Sequence, residues 1–522
     1  MRFLKEHQPY RVDIIVLLLI LLIGLIRLPQ PFMGDQALSA MMGAKLGSGG
    51  VIYRDLWDLK QPGIFAFYFV AGKVFGFDEI GIHTFELMYM VGFSLVLIMA
   101  LKDSFRQRFI ASLVPLLTVG VYYSLADIWH QTQTEALVGF PLFLSLWLAG
   151  KSLQGTHQRA AFLFSSGLMG GIVLLFKFMF FPIVATFWLS AVCFTTARSV
   201  ERIPEAALKL ALPILLGVSL PLFAMFAYFA RHGIVDLAFW TFVEHPLHAM
   251  AAVDLQDRIG TLVDGLMWFI NGFAPLFALS LVGACARQRS RKTYITLNLA
   301  LWVVVGFGVI LAQRLSWWQY HYFLLSVPVG ILAAYGLDTI WTYLTRTELQ
   351  RRGQRIRIVA AASFVLLFLP LVGSVVLSSL HLARYGLALD IKRRLRYQSA
   401  SSPKYEETVE EVAFLADPRS LGGEIYVVGT PLFYYLSGRD PAAPFLATWF
   451  WPDAELWAQL LQQLDTGRPV YVFIHARDFA VTRSVAPQDM DDLFEAILQM
   501  IEHRYRVLRT SDAGTWYVLR NS

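Results

Sequence analysis

The chain has 522 residues, of which 56% are hydrophobic and only 16% charged, with a mean hydropathy of +0.53. Soluble domains carry close to 25% charged residues, so the composition excludes an ordinary soluble protein and places the chain in the membrane class. The formal net charge of +6 does not point to nucleic acid, because Lys and Arg gather in short clusters between apolar runs rather than along one face or tail.

A spanning helix needs about 20 apolar residues. Runs of that kind fall near 12–28, 82–101, 109–125, 134–150, 160–177, 178–197, 209–230, 263–285, 293–311, 322–343 and 357–380, which is eleven candidate spans. The N-terminal run follows a basic stretch as in a signal peptide, but Arg27 and Pro29 come next and no small-residue cleavage site follows. It is expected to be a retained first helix. The stretch 160–197 would be about 57 Å long as one helix, almost twice the hydrocarbon thickness, so a turn is expected between Lys177 and Pro182.

Basic clusters occupy alternate connections: Lys102, Arg106 and Arg108; Lys151 and Arg159; Arg198, Arg202 and Lys209; Arg287, Arg289, Arg291 and Lys292; Arg346, Arg351, Arg352, Arg355 and Arg357. The positive-inside rule makes these loops cytoplasmic, together with the N-terminus. An odd number of spans then puts 29–81, 231–262 and the segment after 381 outside.

That last segment changes character. IYVVG (425–429) and PVYVFI (469–474) read as buried strands, 453–465 and 489–504 have helical spacing, and Trp516 to Leu519 suggests a final strand. The expected architecture is therefore a polytopic α-helical membrane protein of about eleven spans. It comprises a transmembrane domain over 1–380, amphipathic loop helices on the periplasmic side, and a small C-terminal α/β domain over 381–522. The two cysteines, Cys193 and Cys285, lie in apolar runs and indicate neither a metal cluster nor a disulfide framework.

The first outside loop carries Asp35, Arg54, Asp55, Asp58 and Lys60 beside the membrane surface. The bland reading is a solvated loop whose charges anchor interfacial helices. The motifs of this loop say more: GDQA (34–37) shortly after the first span, then YRDLWDLKQPG (53–63), then a short amphipathic helix ending in FG. Further along come GGIVLLFKF (170–178), WWQYHYFLLSVP (317–328) and GTPLFYYLSGRDPAAPF (429–445).

In their order and sidedness these motifs resemble the glycosyltransferase C superfamily. Within it they resemble the family 39 and RgtA/B/C/D-like group, which includes protein O-mannosyltransferases and lipid A aminoarabinose transferases. The resemblance covers nearly the whole chain. It implies an inverting glycosyltransferase of the bacterial inner membrane that takes a sugar from a polyprenyl-phosphate donor and gives it to a lipid, glycan or protein acceptor on the periplasmic side. Asp35 matches the acidic residue that serves as base for the acceptor, and Lys60 the residue that meets the donor phosphate. Arg54, Lys177, Arg314 and His321 are further candidates for phosphate binding, and Glu135 and Asp58 are candidates for a second acidic residue. A snorkelling lysine is the plain alternative for Lys177, and a helix-start carboxylate for Glu135.

Two departures stand out. Leu59 occupies the position where aminoarabinose transferases carry a metal-binding Glu, and Glu86 in GIHTFELM stands where many members have Arg. A divalent metal is left open, with His245 and His248 of EHPLH as its candidate ligands. The rival class is a transporter or flippase of lipid-linked sugars, which predicts ionisable residues deep in several spans; the spans are expected to be almost free of them. A membrane scaffold is a third reading, and it leaves the charged first loop without a role. Membrane lipids are expected partners in every case.

Overall fold

The computed structural model describes residues 8–154, 157–196, 203–252, 259–285, 290–313, 317–345, 353–446, 454–485 and 490–520. The chain divides into two compact units. One comprises Met1–Leu28, His83–Ala227 and Leu255–Arg384; the other comprises Pro29–Ile82, Tyr228–Asp254 and Tyr385–Ser522.

In the first unit the long apolar runs fold as helices. Among the described residues eight helices are long and apolar enough to cross a membrane, and nine if the bent pair Ile259–Gly272 and Ala274–Cys285 counts as one span. The two remaining expected spans account for the difference from eleven. The first is the 20-residue helix Gln8–Arg27. The second, expected over 134–150, runs through Thr134–Leu137 and Gly139–Ser152, with helical backbone at Val138, whose N–H donates to the Thr134 carbonyl at 2.9 Å.

The run 160–197 turns where its length requires. The helix Arg159–Phe176 ends at Lys177, which is extended, and a 3₁₀ turn, Phe178–Phe180, leads into the helix Phe181–Thr196. Pro182 lies in the first turn of that helix, where a missing N–H costs nothing.

Burial locates the centre of this unit. In the apolar stretch of Gln319–Leu344, 83% of residues are buried, against 17% in Val365–Arg384, which therefore presents its side chains to lipid. The central helix approaches its neighbour closely through glycine. A Cβ at Gly283 would sit 1.9 Å from the Leu332 carbonyl oxygen, and one at Gly336 would sit 2.0 Å from that of Leu279. With no hydrophobic drive between helices in lipid, such close backbone packing holds a bundle together.

The spans are not as free of ionisable groups as the sequence suggested. Glu86, Glu135 and Asp338 are all buried. Apolar runs conceal them because one carboxylate in twenty residues barely lowers the mean hydropathy, and each is affordable only with fixed partners. Asp338, for instance, accepts the backbone N–H groups of Arg106 and Gln107, both at 2.9 Å.

The second unit holds a four-stranded sheet in the order β1-β2-β4-β3, with β1 Ile425–Val428, β2 Tyr471–His475, β3 Tyr505–Thr510 and β4 Gly514–Leu519. β1 and β2 are parallel, and β4 is antiparallel to both β2 and β3. The helices Ala454–Gly467 and Asp491–Arg504 pack through Trp457 and Phe494, with ring centroids 4.7 Å apart.

The first outside loop folds with this sheet. Its two helices, Gly34–Gly47 and Pro62–Phe75, meet where Gly43 approaches the Phe69 backbone nitrogen; a Cβ there would lie 2.9 Å away. Phe32 packs at a tilt against Tyr435, ring centroids 5.3 Å apart, and the Trp57 backbone N–H donates to the Pro444 carbonyl at 2.9 Å.

Candidate functional site

Asp35 lies in the first turn of Gly34–Gly47, where the unpaired N–H groups and the helix dipole favour a carboxylate. Gln36 closes that end by accepting the Met33 N–H at 2.9 Å. Gly34 leaves room for Thr430, whose hydroxyl oxygen would lie 2.9 Å from a Cβ there.

Lys60 arrives from the connection between the two helices, which is held at several points. Tyr53 takes a left-handed φ of +70°, unusual for a bulky residue and sustained only by its surroundings. Those surroundings are explicit. The Tyr53 hydroxyl donates to the Lys60 carbonyl at 2.8 Å, its N–H donates to the Leu56 carbonyl at 2.7 Å, and its ring packs edge-on against Phe65, Phe229 and Phe242. Trp57 donates its indole N–H to the Thr241 hydroxyl at 3.0 Å. Pro62 then opens the next helix and ends the loop.

The result brings three of the expected residues together. The Lys60 ammonium lies 3.2 Å from Asp35 Oδ1 and 3.0 Å from Asp58 Oδ2. Asp58 is buried, while Lys60 and Asp35 keep part of their surface open. Burial pushes the Asp58 carboxyl up, aided by the Asp35 charge and opposed by Lys60. For Lys60, burial alone would favour the neutral amine, but Asp35 and Asp58 outweigh it and the pKa is raised. The lysine is therefore a cation throughout the neutral range, set against an open carboxylate.

Arg54 is not part of this cluster. It pairs with Asp55 at 2.9 Å and is largely exposed. The Arg54 hydrogen bond holds the Asp55 carboxyl below its ordinary value, and Asp55 also accepts the Val51 N–H at 2.8 Å.

A second polar cluster lies within the helical unit. Glu135, buried at the start of Thr134–Leu137, accepts from the Lys177 ammonium at 2.9 Å, and His321 Nε2 stands 3.8 Å from the same oxygen. Lys177 also donates to the Gln313 side-chain oxygen. It can reach both because it is the extended residue between two helices rather than part of either. Glu135, Lys177 and His321 thus meet, joined by Gln313, which sequence reasoning missed. Arg314 lies outside the described residues.

Glu86 was also missed as a site. It is buried and accepts from the Tyr122 hydroxyl, from Thr132 Oγ1 at 2.8 Å and from Gln131 Nε2 at 3.1 Å. Its only signal was a carboxylate standing alone in an apolar run.

The pair His245 and His248 does not converge. The His245 ring is buried against Trp57 and Trp240, with centroids 5.4 and 5.0 Å away, whereas His248 is exposed. Among the described residues no group of three or more His, Cys, Asp or Glu could hold a metal ion.

No protein-family model matches the chain, and no curated protein matches it. Solved structures do. The chain is similar to ArnT from Cupriavidus metallidurans bound to undecaprenyl phosphate, with a TM-score of 0.60 at 14% identity over 99% of both chains. It is likewise similar to the same protein in its apo state, with a TM-score of 0.54 at 12% identity over 97% of both. The chain therefore has the fold of ArnT.

Proposed function

We propose that the protein is an inverting glycosyltransferase of the bacterial inner membrane that moves a sugar from a polyprenyl-phosphate donor to a lipid, glycan or protein acceptor on the periplasmic side. The observation that carries this reading is the cluster of Asp35, Asp58 and Lys60 in a chain with this fold. Two things support the donor class: ArnT, with the same fold, was crystallised with undecaprenyl phosphate, and the chain offers cations suited to a phosphate.

The chemistry follows from the residue types. Asp35 takes the proton of the acceptor hydroxyl as its oxygen attacks the anomeric carbon from the face opposite the phosphate. The bond from anomeric carbon to phosphate oxygen breaks, and the electron pair leaves with the polyprenyl phosphate. A positioned carboxylate can serve as this base, and Asp35 stands partly open beside the Lys60 ammonium. Lys60 also supplies the positive charge that the departing phosphate needs, as a charge-assisted donor near a partly dry surface. Asp58 anchors it. Within the helical unit, Lys177, paired with Glu135 beside His321, is a separate candidate for binding a phosphate. Transport is the weaker reading, because the buried carboxylates Glu86 and Asp338 are tied to fixed donors.

The test uses purified protein in proteoliposomes with a polyprenyl-phosphate sugar and acceptor. Asp35→Asn retains the shape but cannot accept the proton. Its turnover is expected to fall by roughly 10²-fold to 10⁴-fold with the fold intact. Near-normal turnover, or loss of activity only together with loss of the folded protein, would sink the assignment.

A further inference from the structure

The segment that follows the last long apolar helix bends sharply. The helix Gly353–Arg384 ends, and three successive residues, Gly386, Leu387 and Ala388, take left-handed φ values of 62°, 58° and 51°. Glycine tolerates that region; leucine and alanine avoid it. The helix Ile391–Ser401 follows, capped by Asp390, which accepts the Arg393 N–H at 2.8 Å.

This bend turns large apolar side chains outward. Leu387 is 56% exposed, Leu389 80% and Ile391 76%, and Leu395 is exposed one turn further on. The side of the helix adjoining this edge is closed, with Tyr397 and Gln398 buried. Beside the outward leucines and isoleucine stand Lys392 and Arg396, both exposed and one turn apart.

Their neighbours Arg393 and Arg394 have local carboxylates, Asp390 at 3.1 Å and Asp78 at 3.4 Å. Lys392 and Arg396 therefore carry the outward charge. By the proposed topology this is the side on which Lys and Arg are normally scarce, so cations within twelve residues of Arg384 call for a cause.

We propose that residues 387–396 form an interfacial strap that lies in the outer surface of the bilayer and binds anionic phospholipid. Leu387, Leu389 and Ile391 enter the boundary between headgroups and acyl chains, and Lys392 and Arg396 meet lipid phosphates. Covalent continuity with a spanning helix holds the segment within a few residues of the membrane. The pairing of an outward apolar edge with adjacent cations matches that surface and no other nearby. Lipid burial also accounts for a strained bend that leaves three large apolar side chains uncovered by protein.

The test needs no sugar and no turnover, so it stands apart from the proposed reaction. Full-length protein lacking Cys193 and Cys285 carries Leu389→Cys with an environment-sensitive fluorophore, in vesicles of phosphatidylethanolamine and phosphatidylglycerol. Quenching by lipids nitroxide-labelled near the headgroup, and protection from iodide, are expected. Spin-labelled phosphatidylglycerol should associate in preference to spin-labelled phosphatidylcholine. For Lys392→Gln and Arg396→Gln this preference should fall by up to about five-fold per cation. A label open to iodide, a label equally shielded in lipid-free detergent, or an unchanged lipid preference in both variants overturns the proposal.

Discussion

Replacing Lys60 by Met separates its two roles. The ammonium is the shared partner of Asp35 at 3.2 Å and Asp58 at 3.0 Å, so the variant leaves two carboxylates together without a cation. Asp58, already pushed up by burial, is expected to take up a proton, which limits the structural cost to about 1.4 kcal/mol per pH unit between the ordinary Asp value of about 3.9 and the ambient pH. Asp35 loses the cation that stood 3.2 Å from its Oδ1. If Lys60 also meets the departing phosphate, kcat/KM should fall by about 3 kcal/mol of transition-state stabilisation, roughly a hundred-fold. The measurement is kcat/KM against pH in proteoliposomes for the wild type, Lys60→Met and Lys60→Met/Asp58→Asn. The double variant should regain stability, because Asn is neutral without taking up a proton, but should not regain turnover. Full kcat/KM in Lys60→Met, or recovered turnover in the double variant, would refute the reasoning.

Three further outcomes are expected. Gly283→Ala forces a Cβ to within 1.9 Å of the Leu332 carbonyl oxygen and should cost roughly 1–3 kcal/mol; an unchanged melting temperature in detergent would show that the helices separate freely. His475 is buried between Glu407 and Asp478 at 3.0 and 3.1 Å. Burial alone would lower its pKa, but the two carboxylates outweigh it and raise the value. Its charged form thus adds stability that is full below the unfolded value of about 6.5 and is lost as pH rises through the folded one. Hydrogen exchange of β2 should therefore quicken across that window, and His475→Gln should flatten the response; a wild type that is flat there refutes it. Finally, a cysteine near the C-terminus, in a chain without Cys193 and Cys285, should react with an impermeant thiol reagent in intact spheroplasts. Labelling only after lysis would invert the topology.

The sequence determined by itself that this is a polytopic helical protein with a small α/β segment, because span length and strand alternation are local properties written in consecutive residues. The turn at Lys177 was legible for the same reason: no single helix of that length fits a bilayer. β3 was not, since YRVLRT is mostly exposed and carries no alternation of buried and open positions. It is a strand only because β4 pairs with it. The site divides along the same line. Asp35, Asp58 and Lys60 could be singled out from loop motifs, as could Glu135, Lys177 and His321 from theirs. That Lys60 bridges two carboxylates was decided by Tyr53, whose left-handed backbone is held by rings from residues 65, 229 and 242. Equally, Glu86 became a buried hub only when Tyr122, Gln131 and Thr132 converged on it. Contacts over such separations depend on how helices pack, and packing is set by whole surfaces such as the Gly283 and Gly336 approach rather than by any neighbouring stretch of chain.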